Sequence, residues 1–198
     1  MYPALIQADQ YLDVISGSAG AILGLLALYR HQNDVEILHK AIACGEHLLS
    51  MPRIEVNGHR SWASLGATPL TGFSHGAAGF GFALRSLATA SGIEKFELAA
   101  QECFLYEDLA FDTKVQNWPD LRKSNDEVDN AKTIYPCQWC HGAVGIGLSR
   151  IGNLKNGSIL ASDTKVVEDS LKITKSSWPN SVDTLCCGTL GSIEFLNE

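Results

Sequence analysis

Trp139-Cys140-His141-Gly142-Ala143-Val144-Gly145-Ile146-Gly147-Leu148 sets a thiol and an imidazole directly ahead of a glycine-led apolar segment. Its Gly-x-x-Gly opening recurs at three other places. Gly17-Ser18-Ala19-Gly20 leads into Ile22, Leu23, Leu25, Leu26 and Leu28, and Gly76-Ala77-Ala78-Gly79 leads into Phe80, Phe82, Leu84 and Leu87. Gly188-Thr189-Leu190-Gly191 opens the segment Ile193 to Leu196. Behind the first three openings come amphipathic stretches: one with Ile37, Leu38, Ala41, Ile42, Leu48 and Leu49, one over 93–111 and one over 163–176. A helix apolar all round is a buried helix, and one with a single apolar face packs against it. Repeating that pair predicts stacked helical hairpins, with buried helices as an inner ring and amphipathic ones as an outer ring. The expected fold class is all-α.

The punctuation agrees with this period. Asn33-Asp34-Val35-Glu36 reads as a capping box ahead of the first amphipathic helix, and Ser91-Gly92 and Asn156-Gly157 read as breaks. Arg53-Ile54-Glu55-Val56 followed by Asn57-Gly58 predicts a small β-hairpin in the loop over 51–72.

At 198 residues the chain is long enough to bury one sizeable core, and 45% hydrophobic with 19% charged residues is a globular composition. The net charge of −7, without a Lys/Arg run, excludes a nucleic-acid surface. The apolar run over 19–29 is too short to cross a bilayer, and Met1-Tyr2-Pro3 does not begin a secretory signal. A cytoplasmic protein without a membrane span is expected.

Six cysteines stand at 44, 103, 137, 140, 186 and 187. Without an export signal, Cys137-x-x-Cys140 and the vicinal Cys186-Cys187 read as metal ligands rather than disulfides. Cys44 and Cys103 lie within helical patterns and read as core. His31, His39 and His47 recur every eight residues, a spacing that does not hold one helical face; they read as solvated, as does the acidic run Asp126-Glu127-x-Asp129.

Glycine pairs let the starts of the inner helices approach, so the residues beside them should face a common centre. These are Asp13 and Ser16, Ser74 and His75, Cys140 and His141, and Cys186 and Cys187. Cys140, Cys186 and Cys187 supply three thiolates and leave a fourth position open, as in catalytic zinc sites; adding Cys137 would close the site as structural zinc does. His141 is a further candidate to replace one cysteine. Spacing alone leaves these sets open. A substrate thiol in the open position would be shifted down from a pKa of roughly 8.5. At the start of a buried helix His75 is suited to be a neutral base, or else a satisfied core imidazole. Asp13 is suited to orient it, or else to cap the first helix in competition with Ser16.

Four stretches in order resemble the signatures of LanC-like lanthipeptide cyclases: Ser16-Gly17-Ser18-Ala19-Gly20, the run over 69–79 with Ser74-His75-Gly76, Trp139-Cys140-His141-Gly142, and Leu185-Cys186-Cys187-Gly188. Tyr106-Glu107, Asn117-Trp118-Pro119-Asp120-Leu121-Arg122 and the vicinal cysteines are most similar to the cyclase domain of class II (LanM-type) synthetases. The resemblance implies an α/α toroid holding one Zn²⁺ through Cys140, Cys186 and Cys187, with His75 as the acid/base residue and Asp13 as its partner. It implies an enzyme that adds the Cys thiols of a dehydrated precursor peptide to dehydroalanine or dehydrobutyrine, forming lanthionine or methyllanthionine. His75 and His141 both qualify to protonate the enolate. With four openings the chain is expected to be a single partial domain over 1–198, without the dehydratase and without both ends of the toroid. The remainder of the synthetase is then a partner. The competing reading is a non-catalytic, zinc-stabilised α/α module that binds a peptide or a partner chain. A toroidal glycosidase would need two carboxylates at the centre, and only Asp13 qualifies.

Overall fold

A computed structural model of the chain describes residues 3–122, 133–155 and 160–198. The Asn156-Gly157 break and the acidic run over 126–129 lie outside the described residues. The helices are α1 (Pro3–Gln7), α2 (Ser18–Gln32), α3 (Val35–Ser50), α4 (Ala77–Ser91), α5 (Glu94–Leu109), α6 (Ala143–Lys155), α7 (Asp163–Ser176) and α8 (Thr189–Asn197). Between α3 and α4 runs one antiparallel hairpin, β1 (Ile54–Val56) and β2 (His59–Ser61). The all-α expectation holds, and the small hairpin is where Asn57-Gly58 places it. Both turn residues adopt positive φ, 51° and 84°, the geometry that matches strand twist in a two-residue turn.

Helices α2 and α3, α4 and α5, and α6 and α7 pair as hairpins, while α2, α4, α6 and α8 pack one against the next as an inner row. The boundary between α2 and α3 differs in detail from the capping-box reading. Asn33 closes α2 in the left-handed conformation (φ 53°), and Asp34 is the residue that caps α3, accepting the Glu36 N–H at 2.9 Å.

Burial along the inner row is uneven. Helix α4, flanked by α2 and α6, buries Ala77, Ala78, Phe80, Ala83, Leu84 and Leu87. Helix α2 is not buried all round: Gly24, Ala27 and Leu28 face solvent, because among the described inner helices it packs only against α4. Leu190, Ile193 and Leu196 are exposed on α8 for the matching reason. Among the described residues no helix is long and apolar enough to cross a membrane.

The apolar interior forms two clusters. One gathers Ile22, Leu26, Cys44, Leu48, Trp62, Phe80, Leu84, Phe96, Cys103 and Phe104 from α2 to α5; the other gathers Trp118, Cys137, Val144, Ile146, Val166 and Phe195 around α6. Arg150 joins them. Its guanidinium, buried on α6, donates to Asp163 Oδ1 at 2.7 Å, to Asp108 Oδ1 at 2.8 Å and to the Phe104 carbonyl at 3.0 Å, and stands 4.2 Å from the Phe104 ring centroid. Cys44 and Cys103 are core, and burial pushes the Cys103 thiol up to about 12. His31 and His39 are exposed, whereas His47 is half-buried with Nε2 2.9 Å from the Asp9 carbonyl, so it is a structural contact rather than a solvated residue.

Candidate active site and metal centre

The four glycine openings meet, and backbone hydrogen bonds join them in chain order. The Val14 N–H donates to Ser74 O at 3.1 Å, the Phe73 and Ser74 N–H groups both donate to Cys140 O at 3.1 Å, and the Cys140 N–H donates to Cys186 O at 3.2 Å. Each rung ties a residue beside one opening to a residue beside the next. Gly72 makes the middle rung possible. Its φ is +92°, and a Cβ there would lie 2.9 Å from Cys140 O and 3.0 Å from His141 Cα, so only glycine lets the two loops come this close.

On one side of this seam Asp13 and His75 form a pair. Asp13 Oδ2 lies 2.7 Å from His75 Nδ1, while Asp13 Oδ1 accepts the N–H groups of Ile15 at 3.0 Å and Ser16 at 2.8 Å. A carboxylate only accepts, so Nδ1 carries the proton and the Nε2 lone pair of the neutral ring is the basic face. Asp13 is 1% exposed and His75 stays partly open to solvent. Neither Asp13 nor Ser16 caps α2. Asp9 does, with Oδ2 accepting from Ser18 N at 2.7 Å and from Ser18 Oγ at 2.6 Å. Sequence reading passed over Asp9 because it stands nine positions upstream of the helix, and only the bend of the chain over 9–17 brings it back.

On the other side lie the sulfurs of Cys140, Cys186 and Cys187, all within 4.8 Å of one another. Cys140 Sγ is 3.4 Å from Cys187 Sγ, which is 3.3 Å from Cys186 Sγ. Cys137 is not among them. Its Sγ points to Thr174 Oγ1 at 3.7 Å, inside the second apolar cluster, so the closed four-cysteine set does not form. His141 also contributes no ligand atom to the cluster; its ring stacks on His75 with centroids 5.6 Å apart. Burial first, then the positive charge of Arg122, pushes His141 down to about 4, with Asp120 opposing the shift. Arg122 is gripped by Asp120 through Nε at 2.9 and 3.0 Å. That contact, more than the nearby sulfurs of Cys140 and Cys187, holds its guanidinium above the usual range.

The donor set fits a zinc ion. Burial, reinforced by the neighbouring sulfurs, pushes the Cys140 thiol above the ordinary cysteine range, and burial with Cys187 does the same to Cys186. Cys140 and Cys186 therefore resist losing their protons, and a divalent cation among the sulfurs removes that resistance by supplying the opposite charge. An all-sulfur set suits a soft, tetrahedral ion with one position left for another ligand.

Helical hairpins whose inner helices open onto a shared centre define an α/α-toroid architecture, here with a His–Asp pair and a thiol cluster at that centre. The family model for lanthionine synthetase C-like proteins matches residues 3–198, and the chain belongs to that family. Among solved structures it is similar to a nisin cyclase, with a TM-score of 0.62 and 20% identity over 94% of this chain and 50% of that one. The chain thus spans about half the length of that cyclase. A search of curated protein sequences finds no match.

Proposed function

We propose that this chain carries the ring-closing centre of a lanthipeptide cyclase, acting on a dehydrated precursor peptide as part of a class II synthetase. The observation that carries the reading is the juxtaposition, across one hydrogen-bonded seam, of the His75–Asp13 pair and the three-sulfur cluster. Membership of the family and likeness to a structure named as a cyclase support it. The vicinal Cys186-Cys187 supports the class II assignment.

Cys140, Cys186 and Cys187 would hold one Zn²⁺. Bound there, the ion supplies Lewis acidity that lowers the pKa of a peptide thiol. The protein's own groups handle the protons. His75 Nε2 takes the proton of the peptide cysteine, and the buried Asp13 carboxylate steadies the resulting imidazolium through Nδ1–H. The thiolate adds to the β-carbon of the dehydro residue, one S–C bond forms as the C=C π bond is lost, and negative charge develops as an enolate. His75 then returns its proton to the α-carbon, so mass is conserved. Burial and the Arg122 charge push His141 down to about 4, which favours His75, paired with Asp13, as the group that carries the proton. Its stacked ring shields one side of the acid–base pair.

The test measures bound zinc, then incubates the zinc-loaded chain with a pre-dehydrated precursor and counts alkylatable thiols. The expected result is one zinc per chain and loss of free thiols without change of mass. The second reading, a zinc-stabilised module that binds a peptide or partner chain, is favoured by the exposed apolar edges of α2 and α8. Stoichiometric zinc with no thiol consumption would select it.

A further inference from the structure

Glu107 sits on the outer-ring helix α5, fully buried, and its Oε1 accepts the Gly72 N–H at 2.8 Å. Gly72 is the residue of the His75 loop that touches the backbone of Cys140 and His141, and the next two N–H groups, of Phe73 and Ser74, go to Cys140 O. Three successive amides are thus divided between an outer-ring carboxyl and the thiol-bearing loop. The orientation of the peptide group at Gly72, set by Glu107, decides how the following two amides meet Cys140.

The end of α5 is itself held firmly. Tyr106 Oη donates to Pro69 O at 2.7 Å, and Trp118 Nε1 donates to Glu107 O at 3.1 Å. A buried carboxyl is expensive to keep. Burial pushes Glu107 up to about 8, with the Gly72 N–H, Arg150 and, more weakly, the Ala78 N–H opposing and Asp108 reinforcing. An apolar side chain would fill the same space without that cost, and the ordinary hydrogen bond it would lose is the one to Gly72, with the weaker pulls of Ala78 and Arg150.

We infer that Glu107 is a positioning residue for ring closure: by clamping Gly72 it fixes the register of the His75 loop against the Cys140 loop. The claim rests on the proposed cyclase reading for its consequence, not for its geometry. Glu107 touches neither substrate nor sulfur and acts through the backbone.

The test compares Glu107→Ala and Glu107→Gln in the zinc-loaded chain, by amide hydrogen exchange over residues 70–75 and by ring-closure kinetics on a pre-dehydrated peptide. Glutamine keeps the Oε1 acceptor and drops the ionisable group. Glu107→Ala should speed exchange at Gly72, Phe73 and Ser74 roughly tenfold. It should lower kcat about 10²-fold through misplacement of the base, with KM changed less than about twofold and zinc retained. Glu107→Gln should stay near the parent in both. Unchanged exchange in Glu107→Ala, or equal damage in Glu107→Gln, overturns the inference. If Glu107→Ala does not fold, Glu107→Asp, one methylene too short, replaces it; parental exchange there overturns the inference as well. A parent chain that closes no rings removes the cyclase reading, while the exchange comparison still decides whether Glu107 clamps the loop.

Discussion

The two sides of the central seam meet the same problem, charge in a partly buried place, in different ways. Asp13 and His75 complement each other: a carboxylate held by two backbone N–H groups faces an imidazole Nδ1–H, so the pair is complete within the chain. Cys140, Cys186 and Cys187 are three like groups within 4.8 Å, and nothing among them offsets the charge their ionisation would create. The acid–base side should therefore be indifferent to metal, and the thiol side should depend on it. Two sides that differ so much stay aligned only because the backbone rungs through Ser74 and Cys140 join them.

The largest effect should come from breaking the dependent side. Cys140→Ala, or removal of the metal with a chelator, should abolish zinc binding and ring closure, read by metal analysis and thiol alkylation. In the chelated protein the Nδ1–H signal of His75 should persist in NMR spectra; its disappearance would show that the two sides are not independent. Next, His75→Ala should retain zinc and slow ring closure about 10²–10⁴-fold, the range of a lost acid–base group. Zinc loss in that variant would erase the distinction drawn between the sides.

A third variant strikes the joint between the two apolar clusters rather than either side of the site. Arg150→Ala takes from the fully buried Asp163 its partner at 2.7 Å and leaves it only the Arg85 guanidinium at 3.5 Å. Breaking a buried pair outright costs about 3–5 kcal/mol, and with Arg85 still present the loss should fall near the lower end, measurable in thermal melts.

A smaller effect follows from Glu107. Its folded pKa of about 8 exceeds its ordinary 4.5, so the folded state binds the proton more tightly than the unfolded chain. Its contribution is fully present below pH 4.5 and is lost as the pH rises through about 8. Glu107→Gln should flatten that decline in urea melts taken across the same range. Smallest is Asp9→Ala, which uncaps α2 and should cost about 1 kcal/mol at pH 7. Burial raises the Asp9 pKa, but the hydrogen bonds from Ser18, Leu12 and Tyr11 outweigh it and leave a net lowering below 3.8. The contribution is thus present above pH 3.8 and lost as acid protonates the folded carboxyl, so parent and variant should converge there.

Sequence by itself determined the repeat and the shortlist of chemistry. Helical period and Gly-x-x-Gly spacing are local properties, so the alternation of inner and outer helices, the β1–β2 turn at Asn57-Gly58 and the span of α7 could be read directly. The residues beside the openings named His75, Asp13 and the cysteines, because glycine marks where backbones must come close. Tertiary structure decided the rest. Cys137 and Cys140 stand on one turn, yet one sulfur points into the core against Thr174 and the other toward Cys187, a choice made by the packing of α7 and α8. Asp9 rather than Asp13 caps α2, and Glu107 reaches Gly72 across 35 positions, because hydrogen bonds of that span exist only after the helices have stacked. Local spacing carries periodicity and residue type, but side-chain direction and long-range partnership belong to the packed whole.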